Sequence, residues 1–194
     1  MKKILFILAI ALSANSFAQK TDKAYSKGSS SVSLAHGIGN IWKTLFKKTT
    51  NFGNPTITSL GPYSLVYEYG FTPRISGGIA FGYTIIKAHV YYASSYSTDE
   101  KLTNFSALAR GNYHFGRSAR IDPYIGGGLG YYQFRYTSVD NTGSSAPGRI
   151  TVPGSFGLNG QLGAKYYFSQ HFAALVEVGY VVGSYVQVGL TARF

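Results

Sequence analysis

Four charges stand out because of what surrounds them. Glu68, Arg110, Lys165 and Glu177 each sit in a stretch where apolar residues recur at every second position. Residues so spaced share one face of an extended strand, and a charge between them falls on the opposite face. Two acids and two bases turned into a narrow interior lose their hydration and must pair with one another. The chemistry open to them is a plug of salt bridges or, if ions can pass between them, a gate. Arg193, on the polar phase of the final strand, is placed to join them near one end. The histidines His36, His89, His114 and His171 are scattered without metal-ligand spacing, so no metal is expected, and His114 reads as an inward residue with a local hydrogen bond. Gly126, Gly127, Gly128 and Gly130 precede no helix, which argues against a nucleotide loop and for relief of crowding on an inner wall. No cofactor is expected.

The elements that must position these charges read as strands. Val32, Leu34 and Ile38 share a face over Ser30 to Ile38, and Tyr63, Leu65, Tyr67, Tyr69 and Phe71 oppose Ser64 and Glu68. Ile75, Ile79, Phe81, Tyr83 and Ile85 form a third set, and Phe105, Ala107, Ala109, Tyr113 and Phe115 oppose Arg110, Asn112 and His114. A fifth strand from Pro123 is mixed: Ile125, Leu129 and Tyr131 suggest one phase, Tyr132, Phe134 and Tyr136 the other, which points to a bulge. Phe156, Leu158, Leu162, Ala164, Tyr166 and Phe168 oppose Asn159, Gln161 and Lys165. Phe172, Ala174, Val176, Val178, Tyr180 and Val182 oppose Glu177. Val186, Val188, Leu190, Ala192 and Phe194 oppose Gln187, Thr191 and Arg193, completing eight. Short turns are expected at 72–73, 116–122, 169–170 and 183–184, and longer polar segments at 40–58, 94–101 and 137–153.

Composition says where such strands belong. Lys2 and Lys3, the apolar run Ile4 to Leu12 and the small-x-small site Ser16-Phe17-Ala18 predict a cleaved export signal at 1–18 and one barrel domain at 19–194. Charged residues are 13% of the chain, against about 25% in soluble proteins, and aromatics are 16%. No segment after the signal offers a transmembrane helix. Strands alone can cross lipid only as a closed barrel, because an open edge would strand unpaired backbone groups. A soluble barrel would place its apolar face inside; here the strand charges lie on the polar, Gly- and Ser-rich face. The net charge of +11 in an exported chain points to phosphorylated lipid headgroups rather than nucleic acid. There is no cysteine, hence no disulfide framework.

The last strand, Tyr185 to Phe194, ends on an aromatic and resembles the closing strand of bacterial outer-membrane barrels. The whole mature chain is similar to small barrels of the OmpA, OmpX and OmpW kind. That resemblance implies an eight-stranded antiparallel up-and-down transmembrane β-barrel, a monomer in the outer membrane, with Phe194 part of the signal read by the barrel-assembly machinery. Some small barrels modify lipid A, and the deacylases among them resemble a His-x-Ser arrangement. Here the third members are Ile38, Tyr91, Gly116 and Ala173, so no catalytic residues and no enzyme are expected. The expected role is non-enzymatic, with external loops touching lipopolysaccharide or outside partners; a narrow pore and lipid A modification are the alternatives. In a helix, Ile41, Trp42, Leu45 and Phe46 would share a face, which makes Trp42, Lys43, Phe46, Lys47 and Lys48 candidates for contact with lipopolysaccharide. The same stretch could equally be a loop or extended strand.

Overall fold

The computed structural model describes residues 23–49, 55–93, 96–140 and 148–194, so the expected export signal lies outside the described residues. The elements run β1 (Ser30–Asn40), α1 (Ile41–Thr49), β2 (Thr56–Gly70), β3 (Ile75–Ala93), β4 (Tyr96–His114), β5 (Ile121–Asp140), β6 (Gly148–Tyr167), β7 (Phe172–Val181) and β8 (Ser184–Arg193). Each strand pairs antiparallel with the next, and β8 pairs with β1, closing an eight-stranded barrel without a free sheet edge around its waist. Alternation decides which way the wall faces. Leu34 and Leu190 meet across the closing seam and are each 62% exposed on the outside, while Glu68 and Arg110 are each 5% exposed inside. An exterior of Leu, Ile, Phe and Tyr around a charged interior suits lipid, not water.

The end carrying both termini is the base and the opposite end the rim. Each base turn is held by a hydroxyl that accepts backbone N–H groups: Thr72 from Ile75 (2.8 Å), Ser118 from Ile121 (3.2 Å) and Ser169 from Phe172 (3.0 Å). At the rim, β7 and β8 are joined by Val182 and Gly183 alone, with φ of 48° and 86°. Positive φ at both central residues is the type I′ turn that matches strand twist. This geometry turns Val182 inward, 1% exposed, instead of onto the lipid face that alternation predicts.

The wall is uneven. β3 to β6 have 19 or 20 residues, while β1, β7 and β8 have 10 or 11. Most of the polar segment expected as a loop at 94–101 is therefore strand, with β3 and β4 paired as far as Ala93 and Tyr96. Outside lipid a ladder needs no apolar face, so polarity there does not signal a loop. The segment 40–58 likewise contains α1 and the start of β2, and the segment 137–153 is strand at both ends.

The fifth strand is also corrected. β4 and β5 pair without interruption from Thr98↔Asp140 to His114↔Tyr124, so β5 keeps one phase and Tyr132, Phe134 and Tyr136 face the lumen. The irregularity lies in the partner: Tyr132 pairs with Ser155 and Phe134 with Val152, placing the extra residue in β6. Inward aromatics mimicked a phase change because the upper lumen is apolar.

Candidate functional site

The lower lumen is a bonded set of charges. Lys165 Nζ lies 3.0 Å from Glu68 Oε1, and Arg110 Nη2 lies 2.5 Å from Glu177 Oε1. Strands β2, β4, β6 and β7 thus each contribute one charge, and the barrel diameter brings them within reach. Polar neighbours complete the set: Tyr124 donates to Glu177 (2.6 Å), Asn112 to Glu68 (2.7 Å) and Gln161 to Asn112 (2.8 Å). Gly126 and Gly128 make room, since a Cβ at either would run into Asn112 or Asn159. Arg193 stands apart from this network. It donates to the carbonyls of Gln170 and Ala24 and lies 4.2 Å from the Tyr167 ring centre, at the base. The guanidinium at a strand end reaches carbonyls at the rim of the base more easily than a carboxylate deeper in the lumen.

Both mouths are occupied. At the base, residues 23–29 cross the opening: Ala24 N–H donates to Ser118, the Tyr25 hydroxyl donates to Thr72 (3.1 Å), and the Tyr25 ring stacks on His114 at 3.6 Å. Burial, then the Glu68 and Asp122 carboxylates, hold the Tyr25 hydroxyl well above the usual phenol range, so it remains a donor. At the rim, α1 begins where Asn40 caps it, accepting from Lys43 N–H at 3.0 Å, and Ile41 N–H donates to Gly183 at the low β7–β8 hairpin. The helix then leans against the tall wall. Trp42 sets its ring edge-on to Tyr132 and Phe134, and Phe46 packs on Ile86, Ala88 and Val90. The apolar face of the helix therefore caps the lumen, in place of the outer-leaflet position that amphipathicity suggested. Leu45 is left 49% exposed, Lys43 is half-buried, and Lys47 and Lys48 are exposed.

One arrangement had no local signature. Ser76 Oγ lies 2.9 Å from His114 Nε2, and His114 Nδ1 lies 2.8 Å from Asp122 Oδ1, which is the hydrogen-bond order of a serine hydrolase triad. The three residues come from β3, β4 and β5, so no spacing in the sequence links them. All three are no more than 2% exposed, Tyr25 covers the imidazole, and Ser76 is paired with Gly70 and Asn112 on both sides. A nucleophile needs an approach for its substrate and free N–H donors for the oxyanion. Here the ladder uses the flanking backbone, and the same His114 Nε2 also lies 3.5 Å from Glu68. The arrangement ties three strands and the N-terminal segment together. Phe194, the expected assembly signal, points outward at 38% exposure, with its backbone paired to Ser30.

A closed, lipid-facing, eight-stranded barrel with an ion-paired lumen is an integral β-barrel membrane protein. The chain belongs to the family described as outer membrane protein beta-barrel domain, whose model matches residues 4–194, and this gives it an outer-membrane address. Solved structures similar to it include the attachment invasion locus protein Ail of Yersinia pestis (14% identity, covering 87% of this chain and 99% of that one, TM-score 0.45). Others are the N-terminal barrel of Pseudomonas aeruginosa OprF (18%, 88% and 100%, 0.45) and P. aeruginosa OprG (14%, 88% and 97%, 0.43). No curated protein sequence matches.

Proposed function

We propose that the protein is a sealed, non-enzymatic barrel of the outer membrane. It is exported by a cleaved signal at 1–18, delivered as a monomer by machinery that reads Phe194, and meets lipopolysaccharide or an outside partner through its external elements. The observation that carries this reading is the double closure: α1 across the rim, residues 23–29 across the base, and buried ion pairs between them. Lys47 and Lys48 on the outer side of α1 supply exposed cations to phosphate groups. The buried, covered Ser76–His114–Asp122 set supports a structural role over lipid A chemistry.

The second reading is a narrow pore, favoured by the polar lining that runs from Glu68 through Asn112 to Gln161. Planar-bilayer recording of the refolded protein separates the two. A sealed barrel gives no steady current, and Arg110→Gln or Lys165→Gln changes nothing; a unitary current that shifts with either substitution establishes the pore. Unchanged lipid A mass spectra with and without the gene are expected on the non-enzymatic reading.

A further inference from the structure

In the lumen Arg110 and Lys165 answer Glu177 and Glu68, but the outer surface of the upper wall carries an excess of cations. Of the described carboxylates Asp99 alone is largely exposed, and it is paired with His89 at 2.5 Å. Lys87 on β3, Lys101 on β4 and Arg135 on β5 all point outward, are exposed, and make no ion pair among the described residues. Lys87 stands directly opposite Lys101, and Arg135 opposite Thr103, one step along the outward face of β4 from Lys101. Asp99 is one step along β4 from Lys101 and is engaged by His89 opposite it, so one carboxylate stands beside three cations, and like charges directly opposed on one face of a sheet are destabilising.

Their depth is equally specific. Ile75 to Ile85 on β3 covers the roughly ten residues that a tilted strand needs to cross the hydrocarbon, and all its outward residues after Gly77 are large and apolar. Lys87 is the next outward residue. On β4 the outward face runs from Tyr113 to Phe105 and Thr103 before reaching Lys101. The three cations therefore begin where acyl chains end and headgroups start. Beside Lys87, the bulge that separates Leu60 from Tyr63 in β2 opens a groove lined by Thr58, Ser59, Leu60, Ile85 and Lys87. Its apolar side, with Leu60 53% exposed, can take an acyl chain, and its hydroxyls and ammonium can take the head of the same molecule.

We propose that Lys87, Lys101 and Arg135 form a binding site on the outer wall for the phosphate of a phosphorylated glycolipid of the outer leaflet, with one acyl chain in the Leu60–Ile85 groove. This rests on the outer-membrane reading above and adds a site separate from α1. The site commits the protein to a lipid-bound ligand: the groove gives a free phosphate nothing to hold.

The test is native mass spectrometry of the refolded full chain in dodecyl maltoside, titrated with diphosphoryl lipid A. A cation near a charged lipid surface contributes roughly fivefold in affinity, so Lys87→Gln/Lys101→Gln/Arg135→Gln lowers binding on the order of a hundredfold. Arg117→Gln/Arg120→Gln, two exposed cations in the turn at the base, leaves it within about twofold. Dephosphorylated lipid A binds as weakly to the wild type as the intact lipid does to the triple variant, and millimolar inorganic phosphate does not compete. Folding is read separately from heat-modifiable gel migration; if the triple variant fails to fold, Lys101→Gln alone carries the test, with about a fivefold loss. Unchanged affinity in whichever of these variants folds, a comparable loss in the Arg117→Gln/Arg120→Gln variant, or equal competition by free phosphate overturns the proposal. A bilayer current would sink the sealed reading while leaving this result standing, so the two fail independently.

Discussion

At the scale of single residues, the lumen shows why a buried charge is tolerated only with its partner. Arg110 and Glu177 have side chains 1% and 2% exposed. Removing one leaves the other desolvated without compensation, a loss of about 3–5 kcal/mol, whereas replacing both by apolar groups of similar size is often neutral. Arg110→Ala should therefore lower the urea midpoint of the micelle-embedded barrel sharply, while Arg110→Leu/Glu177→Leu should recover most of the loss. A double variant as unstable as the single one would mean that Tyr124 and the wider network, rather than the pair, carry the energy. The four lumen charges were legible from their alternation with apolar residues. Arg193 shared their phase yet bonds to carbonyls at the base, because phase reports a face of the sheet and not a depth within it. Asp122, at the edge of an expected turn, and Tyr124, in the strand of ambiguous phase, gave no such signal.

At the scale of elements, α1 shows how far amphipathicity can be read. The helical face was visible in Ile41, Trp42, Leu45 and Phe46, but two apolar environments competed for it: lipid outside and the upper lumen inside. The uneven wall decides between them. The low β7–β8 hairpin lets the helix in, and the tall inner wall of Ile86, Ala88, Val90, Tyr132 and Phe134 gives it a surface. Truncating a ring held this way costs about 3–5 kcal/mol. Trp42→Ala should therefore release the helix without unfolding the barrel, seen as faster trypsin cleavage after Lys47 and Lys48 in the folded protein. Leu45→Ser, on the exposed side, should leave that rate unchanged. If the two variants cleave alike, α1 is not held by its aromatic face. The same apolar upper lumen explains the fifth strand, where aromatics on the inner face looked like a break in phase.

At the scale of the whole molecule, lipid outside and charge inside invert the arrangement of a soluble barrel, and the closed ladder leaves no unpaired edge in the hydrocarbon. Phe194 adds little to this architecture: its ring is on the outer surface and, among the described residues, its backbone pairs with Ser30 alone. Removing it should reduce the amount of barrel assembled in cells severalfold while leaving refolding into micelles in vitro unchanged; an equal loss in both would make it a packing residue instead of a signal. Strand number, the facing of every strand but the fifth and the membrane address follow from the sequence alone. Period-two alternation is a local property, and lipid imposes the same outward preference on every strand. Which charges meet, that both mouths are closed, and that Ser76, His114 and Asp122 share a hydrogen-bonded line were decided only by the closed barrel. Those contacts join residues on different strands through register and strand length, and neither is encoded in the alternation of any one strand.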